Sequence, residues 1–212
     1  MSEHTESTWG EPVATARTGL HSEDMSDRPP RQEASYEDLE DVPPHRVGEI
    51  VGGELFVSPR PSLPHARSAF RLGRALDPFD ETPGGENPGG WVILFEPELH
   101  LGGDALVPDL AGWRRERLPE LPETAASTLA PDWVCEVISP STEALDRARK
   151  MGSYAREGVK HLWFVDPRPR LLEVYRLEQG RWLRLGAHVG DSLVRAEPFE
   201  AIELRLSRLW ER

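Results

Sequence analysis

One short apolar run constrains the fold of this chain more than any other stretch. Residues 132–139 read Asp-Trp-Val-Cys-Glu-Val-Ile-Ser, and within 133–138 Glu136 is the one carboxylate among five apolar side chains. A strand without polar residues at alternate positions is typically buried on both faces of a sheet. We therefore predict that this strand lies inside a sheet that is covered on both sides.

Helical and strand-like patterns surround this run. One helix is predicted from Glu143 to about Glu157, stopped by Gly158, and another begins at His65, with apolar residues spaced by three and four. Strands that pair as hairpins are predicted at 49–51 with 55–57, 91–101 with 105–113, and 172–177 with 181–185. A further strand is predicted at 160–166. The pattern predicts an α/β fold: a mixed β-sheet flanked by helices, with an N-terminal hairpin and a C-terminal β extension.

The N-terminal 46 residues differ in composition from the rest of the chain. They contain eleven Asp or Glu and four Arg, so more than half of the net charge of −12 lies there. The segment is rich in Ser, Thr, Glu and Pro and has few large apolar residues, which is typical of disorder. We predict an acidic, disordered tail over residues 1–46 and a single domain over residues 47–212.

Several classes of protein are disfavoured by composition. Cys135 is the only cysteine, so an intramolecular disulfide is excluded. No apolar run approaches the ~20 residues that span a bilayer, and Met1 is followed by an acidic segment rather than a secretory signal. We predict a cytoplasmic protein without membrane contact. The acidic balance argues against binding nucleic acid through bulk positive charge, but it is compatible with a metal site made of carboxylates.

Two carboxylates interrupt apolar strands that we expect to lie next to each other. Glu136 lies in the central strand, and Asp109 follows Val107-Pro108 in the strand before it. An ionised carboxylate in such surroundings is costly unless it is paired or binds a cation. Mg²⁺ binds one or two carboxylates together with water and phosphate oxygens, and Mn²⁺ is an expected substitute. We predict that Asp109 and Glu136 hold such an ion.

The helix that follows the central strand brings a cation to this region. Asp146, Lys150 and Tyr154 are spaced by four residues and are expected on one helical face. Lys150 is then placed to orient a nucleophilic water or to stabilise developing negative charge. The simpler interpretation is a surface ion pair between Asp146 and Lys150, worth about 0.3 kcal/mol.

These motifs together resemble the Uma-type restriction endonuclease family, a domain of unknown function within the PD-(D/E)XK, restriction-endonuclease-like superfamily. The resemblance covers about residues 47–210. It rests on motifs whose combination is more specific than any single one: Val107-Pro108-Asp109, Glu136 to Thr142, Asp146, Lys150, Tyr154, Gly158-Val159, Trp163 to Pro167, Gly53-Glu54-Leu55, Ser58-Pro59 and His65.

The resemblance implies a Mg²⁺-dependent endonuclease that hydrolyses phosphodiester bonds in nucleic acid, with DNA the expected substrate. Asp109 and Glu136 are then metal ligands and catalytic residues. The superfamily motif places a Lys two residues after the Glu, where this chain has Ile138. Lys150 is the natural substitute, reaching the site from the helix.

Five further residues are expected to support the site. Asp146 and Tyr154 would hold Lys150. His65, at the start of the first predicted helix, would form a wall of the site. Glu54, after the Gly52-Gly53 turn, and Glu98, on the strand beside that of Asp109, are candidate extra ligands, although a solvent-exposed strand position is the simpler explanation of each.

Three functional hypotheses remain open on the sequence. The first is the metal-dependent endonuclease. The second is a catalytically inactive binding or interaction module that keeps the nuclease fold, motivated by Ile138 in the Lys position. The third is a metal-independent hydrolase that uses two carboxylates as acid and base, as glycosidases do. An exposed strand edge is consistent with a homodimer.

Overall fold

The computed structural model describes residues 33–81 and 84–211. Of the predicted tail, residues 1–32 lie outside the described residues. The remainder, 33–46, packs against the domain: the Tyr36 ring stacks on His100 with centroids 4.0 Å apart, and the Ala34 amide donates to the Gly53 carbonyl at 2.9 Å. In the described part of the chain, the ordered domain thus includes residues ahead of position 47.

The described residues form thirteen strands. In chain order, β1 to β13 are Arg46–Val51, Glu54–Pro59, Trp91–Phe95, Glu98–Leu101, Asp104–Leu106, Leu110–Arg114, Ala126–Ser127, Trp133–Val137, His161–Asp166, Leu171–Glu178, Arg181–Val189, Leu193–Val194 and Leu204–Arg205. The predicted hairpins around Gly52-Gly53 and Gln179-Gly180 are confirmed as β1–β2 and β10–β11.

Helices are fewer and shorter. In chain order, α1 to α5 are Glu37–Glu40, Leu63–Leu76, Glu143–Leu145, Met151–Arg156 and Ser207–Trp210. A 3₁₀ turn over Asp77–Phe79 extends α2, and a π-helical turn over Asp146–Lys150 joins α3 to α4. The predicted helix from Glu143 to about Glu157 is therefore present but changes its winding in the middle. None of the described helices is long and apolar enough to cross a membrane.

The strands form two large sheets and one small one. The six-stranded sheet has the order β11-β10-β9-β8-β6-β3, and the five-stranded sheet has the order β2-β1-β5-β4-β7. β8 and β9 run parallel, as does the β4–β7 pair, and the other pairs are antiparallel. The α/β class with mixed sheets is confirmed, although two main sheets replace the single sheet that the sequence suggested.

The predicted long hairpin of 91–101 with 105–113 is wrong in one respect. Both of its strands break in the middle, so that β3 and β6 pair in the six-stranded sheet while β4 and β5 pair in the other. Pro97 and Pro108 lie at the two breaks, and a proline cannot donate a ladder hydrogen bond. The hairpin therefore turns a corner from one sheet to the other, and Asp109 lies at that corner.

Strand β8 separates two apolar cores. Trp133, Cys135 and Val137 pack with α2, α5 and the C-terminal segment, whereas Val134 and Ile138 face α4 and the five-stranded sheet. All five residues of β8 are buried, which confirms the prediction from its composition. Because side chains alternate along a strand, Glu136 shares the face of Val134 and points toward the helix that carries Lys150.

Candidate active site

Asp109 is held at the corner by both of its carboxylate oxygens. Oδ2 accepts a hydrogen bond from the Val137 amide at 2.6 Å, at the end of β8. Oδ1 lies 2.5 Å from Nε2 of His65, in the first turn of α2. The register pairs Leu110 with Cys135, so one step further along Asp109 stands opposite Glu136. The two carboxylates that the sequence singled out therefore occupy neighbouring positions.

Glu136 is almost completely buried, with 3% of the residue exposed. Its Oε1 accepts a hydrogen bond from the Tyr154 hydroxyl at 2.6 Å and lies 2.7 Å from Nζ of Lys150. An ionised carboxylate offers about four lone-pair sites, so these two contacts leave acceptor capacity for a further ligand.

Lys150 lies at the centre of a buried acidic cluster. It is 2% exposed, and its Nζ is 2.8 Å from Glu49 and 3.5 Å from Asp146, in addition to its contact with Glu136. The i,i+4 ion pair of Asp146 with Lys150 is therefore present, but it does not lie at the surface, because both partners are buried. The ammonium instead joins carboxylates from β1, β8 and the π-helical turn.

The π-helical turn keeps the three helix side chains on one side. Eight residues of a regular α-helix rotate by about 80° more than two full turns, which would carry Tyr154 away from Asp146. A π turn, whose hydrogen bonds run from i to i+5, winds more slowly and reduces this drift. Lys150 and Tyr154 consequently both reach the same carboxylate oxygen of Glu136. Turns of this kind recur at functional sites.

Glu49 is a member of the cluster that sequence reasoning missed. It is 4% exposed, contacts Lys150, and accepts a hydrogen bond at 2.8 Å from the amide of Val107, two residues before Asp109. The signal was present in the sequence, since Glu49 precedes Ile50-Val51 in an apolar strand much as Glu136 lies in β8. Its partner lies far away in the chain, so local pattern did not reveal its role.

Burial and excess negative charge shift the pKa values of this cluster. Burial raises the pKa of Glu136 well above its usual value of 4.5; Lys150 opposes this shift, and Asp146, Asp109 and Glu49 reinforce it. Burial also raises the pKa of Asp146. For Lys150 burial acts to lower the pKa, but the neighbouring carboxylates outweigh it and keep the pKa well above 10.5. The ammonium is thus charged, and the carboxylates around it outnumber it.

A pocket of about 210 Å³ opens beside this cluster. Asp109 and His65 line it, together with Glu96 and the loop Ser139-Pro140-Ser141, whereas Glu136 and Lys150 lie behind its wall. Nδ1 of His65 is buried and has no hydrogen-bond partner within 33–81 and 84–211. Asp109 is therefore the member of the acidic pair that faces solvent, and the arrangement has an accessible outer part and a buried inner part.

A family model described as "Uma2: Putative restriction endonuclease" matches residues 34–207. The chain belongs to the Uma2 family. The match begins within the described part of the predicted tail, in agreement with the packing of residues 33–46, and it confirms the family resemblance found in the motifs.

A solved structure supports the Uma2 fold. The chain is similar to a protein from Anabaena variabilis ATCC 29413 described as a putative nuclease belonging to DUF820, with a TM-score of 0.63 and 20% identity over 77% of this chain and 89% of that chain. At this identity the likeness concerns the fold alone. A search of curated proteins gives no match.

Two of the predicted supporting residues make contacts with residues outside this cluster. Glu98, in β4, lies 2.6 Å from Nε2 of His100 and belongs to the five-stranded sheet. Glu54, in β2, pairs with Arg149 at 3.3 Å. The structure brings together the other predicted residues, which are Asp109, Glu136, Lys150, Asp146, Tyr154 and His65.

The donor set at Asp109 and Glu136 fits a hard divalent cation that keeps most of its water. Within the described residues, no group of three or more His, Cys, Asp or Glu side chains is arranged to hold a metal. A site that supplies every ligand from protein side chains, as structural zinc sites do, is therefore not formed. Mg²⁺ commonly uses only one or two carboxylates and completes its shell with water and phosphate oxygens, which two neighbouring carboxylates beside an open pocket can satisfy.

Proposed function

We propose that this Uma2 protein is a Mg²⁺-dependent endonuclease that hydrolyses phosphodiester bonds in nucleic acid, with DNA as the expected substrate. The observation that carries the proposal is the pairing of Asp109, at the pocket wall, with Glu136, which is buried among Lys150, Tyr154 and further carboxylates. Buried carboxylates in excess over their cations are stabilised by a divalent ion, because it replaces the protons that they otherwise retain.

Asp109 and Glu136 would hold the ion. When bound, the ion supplies positive charge that lowers the pKa of a water and stabilises charge on the phosphodiester. Asp109 lines the pocket, so of the two proposed ligands it is the one that an incoming phosphate can reach. The two hydrogen-bonded contacts to its oxygens fix its orientation, so the ligand is preorganised.

Lys150 acts as a positioning residue in this arrangement. Its Nζ contacts Glu136, Glu49 and Asp146 and lies behind the pocket wall. An opposite charge at 2.7 Å lowers the pKa of Glu136 against the effect of burial and so favours the ionised form that binds a cation. Tyr154 adds a hydrogen bond to the same oxygen.

His65 positions Asp109 from the opposite side. Its ring donates through Nε2, which orients the Asp109 carboxylate toward the pocket. Carboxylate–histidine pairs commonly tune a ligand in this way, and their loss typically costs ten- to about a hundred-fold in metal affinity or activity.

The second hypothesis, an inactive binding module, has one observation in its favour. Lys150 is enclosed by three carboxylates and does not line the pocket, so it is not presented to a substrate in this arrangement.

A homodimer also remains a proposal, for which the edge position of β11 in the six-stranded sheet is the supporting feature.

Plasmid cleavage tests the proposal. Purified protein is incubated with supercoiled DNA in Mg²⁺, in Mn²⁺ and in EDTA, and Asp109→Asn and Glu136→Gln are compared with the wild type. We expect cleavage only with metal, and a loss of at least about a hundred-fold in each variant, because each removes one anionic ligand. Glu178→Gln is the matched control, since Glu178 is exposed at the end of β10 and pairs with Arg176 there. Wild-type rates in either site variant would contradict the proposal, and absence of Mg²⁺ uptake in a calorimetric titration would favour the binding module.

A further inference from the structure

The exposed face of α2 carries an unusual combination of side chains. Leu63, Arg67, Phe70 and Arg74 follow each other at spacings of four, three and four residues, so they form one stripe along the helix. Leu63 is 86% exposed and Phe70 is 47% exposed. The opposite face of the helix is buried through Ala69, Leu72 and Leu76. The stripe is therefore an apolar and basic surface beyond what the helix needs for packing.

The two arginines of this stripe have no acidic partner in the part of the chain that the structure describes. Among residues 33–81 and 84–211, neither Arg67 nor Arg74 makes an ion pair or a side-chain hydrogen bond. Arg71 on the same helix differs, because it pairs with Glu211 at 3.3 Å.

A groove of about 920 Å³ lies along the first half of this stripe. Its walls include Leu63, Arg67 and Phe70 on one side, and Arg168 and Arg170 from the turn between β9 and β10 on another. Glu211 is the acidic residue among the groove-lining side chains, and it already pairs with Arg71. Arg168 pairs with Asp166 and Glu143, and Arg170 pairs with Asp191, so Arg67 is the groove-lining arginine that makes no ion pair within residues 33–81 and 84–211. The groove thus combines apolar walls with one guanidinium group that is available to an anion.

The stripe begins at the candidate active site. The first turns of α2 separate the two cavities: Ser62 and His65 line the pocket of Asp109, whereas Leu63, Pro64 and Ala66 line the groove. A polymer whose reacting phosphate sits at Asp109 would cross the start of α2 and continue into the groove.

We propose that the α2 stripe and its groove bind the segment of a nucleic-acid strand next to the scissile phosphate. Arg67 and Arg74 contact phosphates, and Phe70 stacks on an unpaired base. Seven helical residues separate the two arginines by about 10 Å along the axis, a spacing that suits phosphates along one strand. The inference rests on nucleic acid being the substrate, as proposed above.

The chemistry of the surface favours nucleic acid over an apolar protein partner. Guanidinium groups with free donors bind phosphate oxygens in a bidentate manner, and exposed aromatic rings beside them are typical of sites for unpaired strands. Within the described residues Arg67 and Arg74 are not neutralised by ion pairs, so this face can attract a polyanion to one side of the active site although the chain as a whole is acidic.

The test measures binding without cleavage. Fluorescence anisotropy with labelled single-stranded and duplex oligonucleotides, in EDTA, compares the wild type with Arg67→Ala/Arg74→Ala and with Phe70→Ala. We expect the double variant to weaken binding at least about tenfold and to reduce the slope of log affinity against log salt by about 1 to 2, one for each lost phosphate contact. Phe70→Ala should weaken single-strand binding by about tenfold and duplex binding less.

Arg181→Ala is the matched control, because Arg181 is an exposed arginine at the start of β11 and makes no ion pair within the described residues. Unchanged affinity and salt slope in the double variant, an equal loss in Arg181→Ala, or no binding by the wild type would each overturn the inference. A change in sedimentation from dimer to monomer on Phe70→Ala, with oligonucleotide binding intact, would overturn it in favour of a second copy of the chain.

The anisotropy measurements and the plasmid-cleavage assay together separate this inference from the proposed activity. Binding that depends on Arg67 and Arg74, without any metal-dependent cleavage, supports the surface and contradicts the nuclease chemistry. Metal-dependent cleavage with binding that is indifferent to both arginines supports the chemistry and overturns the surface.

Discussion

Replacement of Lys150 by Met tests the electrostatics of the buried cluster. The two side chains have similar length and flexibility, so the variant removes the charge while keeping most of the volume. Three carboxylates then lose their ammonium partner, whose Nζ lies 2.8 Å from Glu49, 2.7 Å from Glu136 and 3.5 Å from Asp146. Removing one partner from a buried ion pair typically costs about 3–5 kcal/mol, because the remaining charge is left uncompensated. We expect a loss of this size at about pH 8.

The loss should shrink as the pH is lowered. Burial already raises the pKa of Glu136 and of Asp146, and removal of the nearest cation raises both further. The folded variant therefore binds more protons than the unfolded chain, and by linkage its stability falls as the pH rises through the raised values. The stabilisation from this extra proton binding is fully present below the pKa values of the unfolded chain, which are 4.5 for Glu136 and 3.8 for Asp146. At about pH 5 the variant should therefore recover part of the stability that it loses at about pH 8.

Urea unfolding followed by tryptophan fluorescence measures both effects, since Trp91, Trp113, Trp133 and Trp163 are buried in the folded state. Lys160→Met is the matched control: Lys160 is the other lysine of the chain and is exposed. Adding Glu49→Gln to Lys150→Met should restore part of the stability by removing one uncompensated charge. A loss below about 1 kcal/mol, or an equal loss at both pH values, would refute the reasoning.

Two further predictions concern the same domain. Without metal, the melting temperature of the wild type should fall as the pH rises above 4.5 through the raised pKa of Glu136. Mg²⁺ should offset this fall, and most strongly at high pH. Thermal melts in which the effect of Mg²⁺ does not depend on pH would contradict this prediction. Asp104→Ala should cost about 3 kcal/mol in urea unfolding, because buried Asp104 accepts hydrogen bonds from Gly52, Ser153 and Arg156 at 2.7, 2.5 and 2.6 Å. The half-exposed Arg156→Ala should cost under about 1 kcal/mol, and equal losses would argue against this role of Asp104.

Several elements were predictable because their signals are local. Gly52-Gly53 and Gln179-Gly180 have backbone conformations with positive φ, and the apolar runs on either side pair as the hairpins that these turns predict. The apolar side chains on both faces of 133–137, interrupted by Glu136 alone, correctly indicated a strand buried on both faces. The assignment of Glu136 to one face followed from the strict alternation of side chains.

The corner between the two sheets was not predictable in the same way. Residues 91–101 read as one strand because period-two alternation continues across Pro97, and residues 105–113 read as one strand because apolar residues stand on both sides of Pro108. A proline only removes one backbone N–H donor from the sheet. Whether the chain then bends or continues as an edge strand depends on the residues that pack against it. Here the bend places Asp109 against Val137 and His65, which creates the candidate site.

The sequence by itself determined the central strand, the helix after it and the two carboxylates that interrupt apolar runs, because burial pattern and side-chain periodicity are properties of neighbouring residues. Only the tertiary structure decided that Glu49 joins Glu136 and Asp146 around Lys150, and that this ammonium lies behind the pocket wall. Those contacts join β1, β8 and the π-helical turn from separate parts of the chain. The energy of an ion pair depends on distance and burial, and neither quantity is set by the spacing of residues along the chain.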